Sequence, residues 1–164
     1  MARLLYGFRI AMTFAIGYLA LTYLIAIAAG SLMGFLGGKT DMVGLRLVEI
    51  WANVPFLYMV IILVSVMPGW WGVGWQVCAL LLIMVLFSWT GLTYYVRAAV
   101  YKEKSRDYVS AAKVIGAGPL RIIFKHLLPN VISTLVTFAP FTIAAAISSI
   151  TALDFLGYGL PPPA

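Results

Sequence analysis

Residues 10–36 form a run of 27 residues without one charged side chain, and that run decides what this chain can be. Coiled at about 1.5 Å per residue it is about 40 Å long, more than the roughly 30 Å hydrocarbon core of a bilayer. Inside lipid every backbone N–H and C=O must find a partner within the chain, so such a run has to be a helix. Three further uncharged runs follow, at 50–67, 77–96 and 131–152. Only 10% of the residues are charged, and 63% are hydrophobic. A soluble domain carries about a quarter charged residues. The fold class expected is therefore all-α, a polytopic membrane protein with four transmembrane helices. Arg3 and Arg9 before the first run, with Ala26-Ile27-Ala28 inside it, admit a secretory signal peptide as an alternative. The run exceeds the usual apolar length of about 7–15 residues for such a signal, and more spans come after it.

Local signals punctuate the spans. Gly30-x-x-x-Gly34 permits a close helix crossing, Gly37-Gly38-Lys39-Thr40-Asp41 reads as a turn, and Pro55 and Pro140 each remove a helical hydrogen bond and predict bends. Pro68 to Trp75 is an uncharged loop holding Trp70, Trp71 and Trp75. Indoles favour the headgroup level, so an interfacial belt is expected, with a ligand platform as the other reading. Cys78 lies within an apolar run and is expected to be a buried, inert thiol. Leu156 to Pro163 reads as a stiff turn that cannot continue a helix.

The one polar island is 97–130, which holds seven of the eleven basic residues. Within it Tyr108, Ala111, Ala112 and Ile115 recur at helical spacing, predicting a short helix with one side free of long charged side chains and open to docking. Ser105 is expected to cap its first turn, Asp107 suits the positive end of its dipole, and Gly116 fits a left-handed C-terminal position. Gly118-Pro119 should start a second short helix that Pro129 interrupts. A solvated loop between two spans is the plainer alternative. With four spans, nine basic residues fall on the island's side of the membrane and two on the other. The positive-inside rule then puts the island in the cytoplasm and both ends of the chain outside. The same rule accounts for the net charge of +6 without nucleic acid, since the basic residues flank apolar spans.

Asp107-Tyr108-Val109-Ser110-Ala111-Ala112-Lys113-Val114-Ile115-Gly116, followed by His126-Leu127-Leu128-Pro129-Asn130, resembles the cytoplasmic loop of bacterial ABC-importer permeases of the dipeptide and oligopeptide family. Arg46-Leu47-Val48-Glu49-Ile50-Trp51 and Leu153-Asp154-Phe155-Leu156-Gly157 extend the likeness toward the branch that imports peptides and microcin C. The resemblance implies a six-helix transmembrane domain, of which this chain, 1–164, would be a fragment lacking the first and last helices. It implies that Asp107, Tyr108, Ser110, Ala111, Ala112, Ile115 and Gly116 dock an ATPase, with His126, Pro129 and Asn130 anchoring the loop to the last span. The implied partners are a second permease in a heterodimer, two cytoplasmic ATP-binding subunits, a periplasmic substrate-binding protein, membrane lipids and a peptide-like substrate. Two positions depart from the pattern: Ser110 stands where the family's loop has its glutamate, and the carboxylate near the chain's end is shifted to Asp154.

Enzymatic chemistry finds no footing. His126 is the single histidine, no companion metal ligands or Walker-type phosphate loop occur, and no cofactor is expected. ATP hydrolysis is expected in a separate subunit. Asp154, at the end of a span, is a candidate for the substrate path or the outer face, or simply a hydrated cap of the turn that follows. The function expected is an inner-membrane permease of a peptide importer. A secondary transporter, which needs ionisable groups inside its spans, and a non-transporting scaffold are the alternatives.

Overall fold

The computed structural model describes residues 2–159, and their side chains from Leu5 onward. The prolines at 161–163, expected in a stiff turn, lie outside the described residues, as does the side chain of Arg3. Among the described residues every regular element is helical: α1 (Ala2–Leu36), α2 (Gly38–Ala52), α3 (Phe56–Ser65), α4 (Val73–Lys104), α5 (Asp107–Val114), α6 (Pro119–Ile122), a π-helical turn (Ile123–Leu127) and α7 (Leu128–Phe155).

The axis of the bundle is the parallel pair α1 and α4, and Gly30 and Gly34 bring the two backbones together. A Cβ on Gly30 would stand 2.7 Å from Val96 Cβ and 2.9 Å from the Thr93 carbonyl; one on Gly34 would stand 2.7 Å from the Arg97 carbonyl. All three distances are too short for any side chain, so the small-residue spacing seen in the sequence is a real crossing point. α7 packs alongside this pair. Its Leu135 carbonyl accepts a 2.9 Å hydrogen bond from Tyr23 Oη, one residue from the Val136 carbonyl that Pro140 leaves without a helical donor.

The expected second span, 50–67, is not one continuous helix. α2 runs from Gly38 through the charged residues Arg46 and Glu49 to Ala52, the chain breaks at Asn53-Val54-Pro55, and α3 continues at 68° to α2. The cause is local. Pro55 disfavours helical backbone at the residue before it, and Asn53 Nδ2 turns back to close on the Glu49 carbonyl at 2.7 Å. Among the described residues three helices or helix runs are long and apolar enough to span a membrane, four if α2 and α3 make one broken span. The packing favours the broken span. α2 starts beside the C-terminal end of α4, where Asp41 meets Arg97, whereas the N-terminal turns of α4, at Val77 and Leu81, lie beside Tyr6 to Phe14 of α1. The chain therefore passes from one end of the bundle to the other through α2 and α3.

Two apolar cores result, one near each end. Phe14, Tyr18, Val60, Met84, Ala146 and Leu153 fill one, and Ala26, Phe35, Val96, Val100, Ile122 and Leu127 fill the other. Cys78 differs from expectation: it is exposed on α4, because no neighbouring helix covers it there.

Candidate coupling site at the end of the bundle

α5 and the segments around it close the second core. Val109 and Ala112 are 0% and 4% exposed and pack with Val100, Ile122, Ile123 and Leu127. This corrects the expected docking side. Tyr108, Ala111, Ala112 and Ile115 do not share one open face, because Val109 packs on Val100, Ile122 and Leu127 of other elements and Ala112, three residues on, points inward with it. The open surface is Ser110, Ala111, Val114, Ile115 and Gly116, with Val114 and Ile115 87% and 84% exposed. Two apolar side chains thus stand out from a loop otherwise rich in lysine and arginine.

The boundaries of α5 follow partly from the sequence. Gly116 has φ +83°, and the Ala117 N–H reaches the Ala112 carbonyl while the Gly116 N–H reaches that of Lys113, both at 3.0 Å. These paired bonds form a Schellman motif, and Ala117 packs on the core as such an ending favours. The N-terminus departs from expectation. Arg106, with extended backbone, precedes the first turn, and no side chain caps it. Ser105 Oγ donates instead to the Lys102 carbonyl at 2.8 Å and so finishes α4. Asp107 occupies the first turn as expected and suits its dipole.

A polar chain ties α5 to the long helices on both sides. Tyr108 Oη donates to Glu103 Oε2 at 2.9 Å, and Asn130 Nδ2 donates to Tyr108 Oη at 3.0 Å and to the His126 carbonyl at 3.1 Å. Glu103 belongs to α4 and Asn130 to α7, so the phenol of α5 sits between them. Partial burial raises the Tyr108 pKa first of all; the Asn130 donor offsets this and the Glu103 carboxylate adds to it. The phenol is therefore a firm donor at neutral pH. Pro129 does not interrupt the chain as expected. It lies in the first turn of α7, and the π-helical turn just before it takes up the register that its missing N–H would disturb. His126 enters through its backbone carbonyl. Among the described residues no group of His, Cys, Asp and Glu could hold a metal ion.

Two further ties at this end were not legible in the residue pattern. Lys104 Nζ donates to the Phe35 carbonyl at 2.5 Å and lies 5.6 Å from the centre of the Phe35 ring, so a cation meets the negative end of α1. Arg97 makes a two-pronged ion pair with Asp41, whose side chains are 26% and 14% exposed. The one signal for the second was scarcity, since Asp41 is one of only five acidic residues in the chain. Asp154 is elsewhere, in the last turn of α7 at the opposite end of the bundle. There Gly157, at φ +81°, and Tyr158 close a second Schellman motif, and a Cβ on Gly159 would collide with the Asp154 carboxylate. That turn packs closely around Asp154.

Long apolar helices, a broken span and a small helix pinned at one end of them define a polytopic membrane protein. The chain belongs to the family of binding-protein-dependent transport system inner membrane components, which matches it over residues 26–164, and it is an inner-membrane protein. It is similar to the peptidoglycan transport system permease protein YejE of Agrobacterium fabrum, 41% identical over 98% of this chain and 41% of that protein. The inner membrane ABC transporter permease protein YejE of Escherichia coli is 40% identical over 98% of this chain and 46% of its own length. The oligopeptide transport system permease protein OppC of Bacillus subtilis is 32% identical over 96% of this chain and 50% of its own. The chain spans about half the length of these curated relatives or somewhat less.

Proposed function

We propose that this chain forms the core of the permease subunit of an ATP-driven importer for peptides or peptide-like compounds. The names of the relatives, which belong to peptidoglycan, oligopeptide and dipeptide systems, support that substrate class. In this reading the subunit pairs with a second permease, two cytoplasmic ATP-binding subunits and a periplasmic substrate-binding protein. ATP is hydrolysed in the partner. The excess of basic residues around α5 supports a cytoplasmic location for that end.

One observation carries the mechanism. α5 offers Ala111, Val114 and Ile115 outward while Tyr108 holds it to α4 and α7. A partner that grips the outer face and changes shape on binding ATP moves α5 as a rigid lever, and the tie passes the movement to the spans. Such coupling requires that the two states of the partner bind α5 with different free energies. Ala111→Arg puts a long charged side chain on the open face without disturbing Val109 or Ala112. Co-purification with the ATP-binding subunit should fall sharply while the permease itself stays folded. Undiminished co-purification and coupled uptake in Ala111→Arg and Ile115→Arg together would refute the docking surface. Gly116→Asp is a poorer probe, because at φ +83° any side chain strains the turn itself.

A further inference from the structure

Where α1, α4 and α7 meet at mid-length, between the two apolar cores, there is an open cavity of about 260 Å³ lined by hydroxyl groups. Tyr18 and Thr22 come from α1, Ser88 and Tyr95 from α4, and Thr142 from α7, with Phe138 and Phe141 as apolar walls. No ionisable carboxylate, ammonium or guanidinium group lines it. In a membrane helix a lone Ser or Thr usually satisfies itself on its own backbone. Ser88 and Thr142 do so, donating to the Val85 and Phe138 carbonyls at 3.4 and 3.1 Å. Their protons are thereby used and their lone pairs remain as acceptors.

Thr22 is different. It is 3% exposed, the Tyr18 phenol stands beside it and beside Ser88, yet Thr22 Oγ1 completes no hydrogen bond among the described residues. A buried hydroxyl without a partner costs about 1–3 kcal/mol, so its retention in the wall of a cavity points to something that enters and satisfies it. The other such hydroxyl, Ser31, lines an apolar groove with no second polar side chain, and nothing there defines a ligand.

We infer that this cavity is a mid-membrane subsite for an internal peptide amide of the transported substrate, a reading that rests on the peptide-importer function proposed above. The chemistry matches on both sides of an amide. Ser88 and Thr142 offer acceptors to an N–H, while Thr22, Tyr18 and Tyr95 offer donors to a C=O. With no counter-ion in the wall, a terminal ammonium or carboxylate gains nothing from it and a neutral interior amide fits better. The volume falls short of the roughly 300–1,000 Å³ of a pocket that encloses a whole ligand, which suits one stretch of a chain in passage.

The test uses the complete transporter, with its partner subunits and binding protein, in proteoliposomes, and tetra-alanine with its singly N-methylated analogues as probes. Thr22→Val keeps the shape and removes the hydroxyl; Thr22→Ser restores it. Thr22→Val should lower uptake of tetra-alanine at subsaturating concentration about three- to tenfold, the range for one hydrogen bond, and Thr22→Ser should recover it. Methylating one internal amide removes the N–H that Ser88 and Thr142 would accept, so it should lower uptake by the unaltered transporter similarly and bring no further loss in the double variant Ser88→Ala with Thr142→Val. Tyr95→Phe, at an exposed position whose ring contact with Phe138 is kept, gives the same test without risk to folding. Normal tetra-alanine uptake in Thr22→Val and Tyr95→Phe, or an equal loss on every analogue in the Ser88→Ala, Thr142→Val variant as expected of a packing role or of a lipid or helix filling the cavity, overturns the subsite and leaves the importer reading intact. Absence of ATP-dependent tetra-alanine uptake by the unaltered transporter overturns both.

Discussion

Removing a single oxygen from Tyr108 should loosen the link between α5 and the long helices without changing the face offered to a partner. Its hydroxyl makes two bonds that differ in strength. The one to the Glu103 carboxylate, at 2.9 Å, belongs with hydrogen bonds to charged groups, about 1.5–3 kcal/mol when buried; the one from Asn130, at 3.0 Å, belongs with neutral bonds of about 0.5–1.5 kcal/mol. Tyr108 is 37% exposed, and Asn130 keeps its bond to the His126 carbonyl, so water and the remaining acceptor offset much of this. Tyr108→Phe should therefore cost about 1 kcal/mol in unfolding of the detergent-solubilised protein. Asn130→Ala should cost a similar amount, and because the two share one bond the double variant should lose about 0.5–1 kcal/mol less than the sum. In reconstituted transporter Tyr108→Phe should retain the ATP-binding subunit but move less substrate per ATP. Additive losses in the cycle, with unchanged transport per ATP in Tyr108→Phe, would show that the tie transmits nothing.

Other expectations follow from the same end of the bundle and from the helix crossing. Gly34→Leu must push α4 away from α1, since its Cβ would meet the Arg97 carbonyl at 2.7 Å, and should lower stability by at least about 1–3 kcal/mol in a thermal unfolding assay. Asp41→Asn leaves the Arg97 guanidinium half-buried without its carboxylate and should cost about 2–3 kcal/mol, somewhat less than breaking a fully buried pair; Asp41→Asn with Arg97→Met should recover part of that loss in the same assay. Gly116→Ala, strained at φ +83°, should destabilise by about 1–2 kcal/mol while leaving Ala111 and Ile115 exposed. Tyr108 has its pKa raised on folding, so its contribution is complete below the ordinary phenol value of about 10 and declines only as pH climbs through the raised one. Stability differences between the native protein and Tyr108→Phe should thus be flat from about pH 6 to about pH 9 and shrink at higher pH.

The parts of this architecture that were legible in the sequence are those that a short stretch of chain determines alone. Uncharged runs longer than a bilayer can only be helices, Gly116 ends a helix because only glycine takes its φ without strain, and Gly30 and Gly34 mark a crossing because nothing larger fits. What failed depended on neighbours. Helical spacing put Ala112 with Tyr108 and Ile115, but whether α5 turns Val109 or Ile115 toward the core is decided by Val100, Ile122 and Leu127, which lie on other elements. Ser105 was a good cap by type, yet the end of α4 reached it first. Glu103, Lys104 and the Asp41–Arg97 pair join positions far apart in the chain or at helix ends, where no periodicity reports them.

In the function proposed, the outward face of α5 is the surface that the ATP-binding partner grips. Single cysteines at positions 112 and 115, in a chain with Cys78→Ser, test it directly by cross-linking in membranes that contain the partner. Ile115→Cys should join to the ATP-binding subunit, in a yield that changes with ATP, while Ala112→Cys, turned into the core, should not. Equal cross-linking at both positions, or labelling of Ile115→Cys from the periplasmic side alone, would contradict it.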